Sequence, residues 1–134
     1  MTRILQTLVT ATCVSFALSA VAIAAEPANF TGDWATSDNT FNTMHFTQTG
    51  DHAKGPYDFK NGRADGDVSD GTLTGFWAQS GSSQKCESQK LDSYFWGKLE
   101  LRLQADGTFT GVWGYCEDKP TKEFTGKRVK HHKR

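Results

Sequence analysis

The chain has 134 residues, a length that supplies one domain with a modest core, and 15 lysines and arginines balance 15 aspartates and glutamates. The neutral total hides an asymmetry: five bases (Lys127, Arg128, Lys130, Lys133, Arg134) crowd the very end, while residues 26–126 hold nine bases against fifteen acids, a net of −6. An acidic body with a basic tail does not fit a nucleic-acid interface, which needs positive charge clustered on the folded surface.

Met1-Thr2-Arg3 places one positive charge ahead of residues 4–25, which are uncharged and close on Ala22-Ile23-Ala24-Ala25 before Glu26-Pro27. A charged start, an apolar centre and a small-residue site read as a secretory signal peptide over residues 1–25, cleaved after Ala24 or Ala25. The stretch is also long enough to stay as a membrane anchor. Gln6, the scattered Thr and Ser and the cleavage site favour export, to a periplasm or to the medium. The expected division is signal peptide 1–25, folded domain 26–128 and basic tail 129–134. The tail Lys130-His131-His132-Lys133-Arg134 reads as a frayed, solvated end, or as a contact to anionic lipid or polymer.

From residue 30 a five-residue frame recurs: Phe30-Thr31-Gly32-Asp33-Trp34, Leu73-Thr74-Gly75-Phe76-Trp77 and Phe109-Thr110-Gly111-Val112-Trp113. Phe124-Thr125-Gly126-Lys127-Arg128 starts it again with arginine in the tryptophan position. Residues two apart on a strand share a face, so each copy sends an apolar residue, a glycine and a large ring to one side. Turn signals separate the strands: Ser37-Asp38-Asn39, Thr49-Gly50-Asp51, Lys60-Asn61-Gly62, Ser69-Asp70-Gly71 and Ala105-Asp106-Gly107. Parity followed through those turns gives one inner face: Phe30, Trp34, Met44, Phe46, Gln48, Ala53, Tyr57, Val68, Leu73, Trp77, Phe95, Leu99, Leu101, Leu103, Phe109 and Trp113. The outer face takes Thr43, His45, Thr47, Asp58, Arg63, Asp65, Asp67, Lys98, Glu100 and Arg102. One dry and one wet side describe an antiparallel meander, and about eight strands that curl and close would remove the exposed edges. The expected fold is all-β, a small up-and-down barrel.

Cys13 leaves with the signal peptide, so the mature chain keeps Cys86 and Cys116. Neither has a cysteine or histidine at ligand spacing, and an oxidising compartment favours their pairing as a structural disulfide. The bridge would pin a long polar loop, residues 78–92, to the end of the Trp113-Gly114-Tyr115-Cys116 strand. A loop of that length is either a functional lid or partner contact, or an insertion between two hairpins.

Gly32-x-Trp34 on the first strand, with Arg128 on the last, resembles the calycin pattern of lipocalins and avidins. That resemblance implies a barrel closed by an arginine packed over the early tryptophan, a favourable cation–π pair that fastens first strand to last. The segments Met44-His45-Phe46-Thr47-Gln48, Gly55-Pro56-Tyr57 and Leu73-Thr74-Gly75-Phe76-Trp77 are similar to a family of small exported bacterial domains without an assigned role.

Catalytic and metal signatures are weak. Asp65-Gly66-Asp67-Val68-Ser69-Asp70-Gly71 departs from a calcium loop in its glycine position and in Phe76 at position twelve. His45 falls on the polar face and His52 in a turn, and no nucleophile–base order or phosphate-cradling loop is present. No catalytic residue, metal ligand or cofactor is assigned. The tryptophans remain: Trp34, Trp77 and Trp113, with Tyr57 and Gln48, would line a pocket for an aromatic or acyl ligand or a sugar. Against this stands a narrow barrel that fills itself with side chains. Tyr94 and Trp96, out of phase with the inner leucines, form an expected exposed aromatic patch beside Glu87, suited to a protein partner. The expectation is an exported, non-enzymatic binding protein, with a small hydrolase or isomerase using an acid at the barrel mouth, or a structural envelope component, as alternatives.

Overall fold

The computed structural model describes residues 29–131, so the expected signal peptide, residues 1–25, and the last three residues of the expected tail lie outside the described residues. Eight strands follow in chain order: β1 (Gly32–Thr36), β2 (Thr43–Thr49), β3 (His52–Tyr57), β4 (Gly62–Ser69), β5 (Thr72–Gln79), β6 (Phe95–Leu103), β7 (Thr108–Trp113) and β8 (Lys122–Arg128). Each pairs antiparallel with the next, and β8 returns to β1 to close the barrel. The only helical piece among the described residues is a single 3-10 turn, Ser37–Asn39.

The inner face is the one that parity predicts. Trp34, Met44, Phe46, Ala53, Tyr57, Leu73, Trp77, Leu99, Leu101 and Phe109 are all buried there. The Thr-Gly frame works because its glycine makes room for a ring from the neighbouring strand. Phe109 pairs with Gly126 across β7 and β8, and any side chain at Gly126 would run into the Phe109 ring. Phe41 and Phe124 complete the core. Phe41 belongs to a loop, yet it turns inward and meets Tyr57 and Phe124, each at 5.0 Å between ring centres, and Trp113 at 6.1 Å. The interior is therefore filled by the protein's own rings.

Closure takes the form that the Gly-x-Trp and arginine pattern implies. Trp34 and Arg128 are register partners, and the guanidinium lies 4.2 Å from the indole centre. Arg128 also donates through Nη1 to the Thr31 carbonyl (2.6 Å) and through Nη2 to the Asn29 carbonyl (2.9 Å). Gly32 adopts a φ of +139°, and a Cβ there would stand 2.8 Å from Arg128 Nη1. The glycine of the motif thus admits the arginine over the tryptophan.

The two ends of the barrel differ. One carries short turns, with Asp70-Gly71 at φ of 50° and 75° as a two-residue hairpin expects. The other gathers the connections of residues 37–42, 58–61, 80–94 and 114–121, of which all but the four-residue turn 58–61 are longer than any at the first end.

Residues 80–94 correct one expectation. Trp96 is 1 % exposed and forms no surface patch. Parity placed it rightly on the outer face of β6, but that face is not wet here. The long loop folds back over it, and Ala78, Cys86 and Trp96 make a second small core with Phe76 and Leu91 against it. Trp96 Nε1 donates to the Ser88 carbonyl at 2.7 Å, and the Lys90 ammonium stands 4.7 Å from the Phe76 ring. The Cys86–Cys116 disulfide clamps this layer. Cross-linking residues 30 apart contributes roughly 3–4 kcal/mol in the chain-entropy account. Arg63 holds the loop from the other side through the Leu91 carbonyl.

Candidate functional site

All four of these connections meet over a recess of about 240 Å³ at the barrel's loop end. Its floor is the top of the filled core, Phe41, Trp77 and Trp113. Its walls are Phe59 and Lys60 from residues 58–61, Ser82 and Ser83 from 80–94, and Tyr115 from 114–121. The rings stand edge to face: Trp77 to Trp113 at 5.7 Å and 84°, Trp113 to Tyr115 at 5.1 Å and 79°. Such arrangements are favourable beyond simple burial and hold each ring in one orientation.

Hydrogen bonds fix the polar parts. Trp77 Nε1 donates to the Gly114 carbonyl (3.0 Å), and the Tyr57 hydroxyl, just beneath, donates to Gln79 Oε1 (2.7 Å). Burial pushes the Tyr57 phenol far above its ordinary value, so it stays a protonated donor. Gln79 passes the chain on to the Gly81 carbonyl (2.9 Å). Ser83 Oγ donates to the Tyr115 hydroxyl (2.9 Å), which latches the long loop to the wall.

The expected site residues separate into groups. Trp77 and Trp113 line the recess. Tyr57 supports it from below, wholly within the core. Trp34 lies fully buried at the opposite end under Arg128. Gln48 is at that end too, accepting from the Phe30 amide at 2.9 Å. Tyr94 and Glu87 are exposed on the long loop, with the Lys85 ammonium 5.2 Å from the Tyr94 ring. Phe41, Phe59, Lys60 and Tyr115 were outside the sequence expectation. They lie in turns, where two-residue alternation carries no information about direction.

Outside the barrel, two histidines each bridge two carboxylates. His45 takes Asp33 through Nδ1 (2.7 Å) and Asp58 through Nε2 (3.0 Å), and His52 takes Asp65 (2.7 Å) and Asp67 (3.1 Å). The hydrogen bonds to Asp58 and Asp33 raise the His45 pKa, and those from His45 and His131 lower that of Asp33. No serine or cysteine nucleophile enters this network. Among the described residues no group of three His, Cys, Asp or Glu side chains is placed to hold a metal ion. A larger furrow of about 640 Å³ runs along the outer face of β6 to β8, where Asp38, Glu123 and the Glu100–Arg102 pair (3.2 Å) make a solvated charged surface.

No protein-family model, no curated protein and no solved structure matches this chain.

Proposed function

We propose that this chain is an exported, non-enzymatic binding protein of calycin-like type, which seats a small flat molecule in the mouth of its barrel. The observation that carries the reading is the recess itself: an aromatic pocket at the one end where every long connection converges. Rigid strands presenting variable loops is the usual way a stable scaffold carries a binding site. A filled interior moves the ligand from the barrel axis to its rim. A recess of about 240 Å³ exceeds the roughly 150 Å³ that admits benzene. It falls below the usual range for drug-sized ligands. The fitting ligand is therefore one substituted ring or an indole-sized bicycle. The Cys86–Cys116 bridge is consistent with an oxidising, exported setting.

The test is a tryptophan-fluorescence titration with indole and substituted phenols. Trp113→Ala, which removes a half-buried part of the floor, lowers affinity at least about tenfold, the loss of a ring contact. Trp34→Phe, at the far end, leaves affinity unchanged. Equal losses from both substitutions, or none from either, would reject the mouth as the site. A second reading, a protein partner at the same end, rests on Tyr94, the one exposed large hydrophobic residue among those described. Loss of a co-purifying protein on Tyr94→Ala, with ring binding intact, would favour it.

A further inference from the structure

The charge around the recess names the class of ligand. Residues 26–126 are strongly acidic, yet no carboxylate lines the recess, and a lysine does. A second lysine, Lys122, holds its ammonium 5.4 Å from the Trp113 ring and 5.6 Å from Tyr115. Among the described residues neither Lys60 nor Lys122 is paired with a carboxylate. Two ammonium groups, Lys60 5.3 Å from the Phe59 ring and Lys122 over Trp113 and Tyr115, thus stand without a carboxylate at the rim of an aromatic pocket in an otherwise negative domain.

Lys60 also stands where the backbone disfavours it. Phe59 to Gly62 is a tight turn closed by the Gly62 amide on the Phe59 carbonyl (2.9 Å), with φ of 48° at Lys60 and 52° at Asn61. Both central positions are left-handed, which suits glycine or asparagine and costs a long side chain at the first of them. The strained residue is held firmly: its carbonyl accepts both the amide (2.8 Å) and the hydroxyl (2.9 Å) of Ser80, at the start of the long loop. Positive φ is shared by other residues here, Leu91 and Cys116 among them, so what matters at Lys60 is the anchoring, which fixes where its side chain leaves the backbone beside the recess.

We infer that the mouth recess takes a small aromatic acid, its ring against Trp113 and its carboxylate turned to the rim charges of Lys60 and Lys122. This rests on the reading of the mouth as a ligand site. A charged hydrogen bond is about twice as strong as a neutral one. Lys60 and Lys122 are both exposed, where one ion pair is worth up to about fivefold in affinity, so the two acting together separate a carboxylate from its neutral amide by roughly tenfold.

The probes are benzoate and benzamide, which match in ring and size and differ in charge. Each is titrated at pH 7 and low salt into the mature, disulfide-bonded protein. Benzoate is expected to bind about tenfold more tightly, and added salt should weaken benzoate alone. Lys60→Asn should reduce that preference to about threefold or less while raising Tm by about 2–5 °C through relief of the turn. Benzamide binding as well as benzoate would overturn the acid preference and leave the pocket standing. Binding of neither would overturn the pocket, and the acid preference with it. A Lys60→Asn protein with an unchanged preference would remove Lys60 from the site.

Discussion

His45 touches Asp33 with one ring nitrogen and Asp58 with the other, so both nitrogens are best used when both carry hydrogen. Its pKa is raised above 6.5. Its stabilising contribution is therefore complete below that value and is lost as pH rises through the higher folded-state pKa. Asp33 is lowered from 3.8, so its contribution is present above that value and is lost as pH falls through the lower one. The charged groups facing this ring are Asp33 and Asp58, with His131 on the far oxygen of Asp33. Because these side chains are partly exposed, the effect is small, within the usual range for surface pairs. Thermal denaturation from pH 5 to 9 should show Tm falling by a few degrees above neutrality, and His45→Gln should flatten that fall. A wild-type profile already flat from pH 6 to 8 would deny the bridge. Asp58 adjoins Phe59 and Lys60, and Asn42 also binds its carbonyl (2.7 Å), so His45 sits one residue from the pocket wall.

At the scale of elements, the connection of residues 37–42 decides whether the barrel is hollow. Its Phe41 is 2 % exposed and meets rings from β3, β5, β7 and β8. Truncating a buried phenylalanine costs about 3–5 kcal/mol, so Phe41→Ala should lower the urea midpoint by a corresponding amount. It should also open the floor of the mouth recess into the barrel, so that larger bicyclic ligands gain affinity relative to single rings. A loss of stability with unchanged ligand size preference would mean that the core collapses to fill the gap. The long loop makes the complementary point. Its own small core around Trp96, with the disulfide, makes it part of the wall, which gives Ser82 and Ser83 fixed places at the recess.

At the scale of the molecule, stability depends on one seam. Seven of the strand pairings join neighbours in sequence, while β1 to β8 joins the two ends of the domain through three registered pairs. Arg128 reinforces that seam with its cation–π contact and two hydrogen bonds to carbonyls. Arg128→Ala should cost about 1–3 kcal/mol, and amide exchange should quicken first along β1 and β8. Uniform acceleration over all eight strands would show the seam to be no weaker than the rest.

Much of this was legible in the residues themselves. Alternation is a local property with a period of two, so it assigned Trp34, Leu73, Trp77, Leu101 and Phe109 to one face without any knowledge of their partners. Asp-Gly and Asn-Gly placed the turns because φ above zero is a local demand, and the two cysteines after residue 25, Cys86 and Cys116, leave one pairing between them. The Gly-x-Trp strand and the late arginine even pointed to the seam. What lay beyond reach were the directions taken by loops and the contacts between distant segments. Nothing local sends Phe41 inward, folds residues 80–94 over Trp96, or brings Phe59, Lys60, Ser83 and Tyr115 around one recess. Those outcomes depend on the closed barrel setting four connections side by side, where rings exclude water together that none could exclude alone.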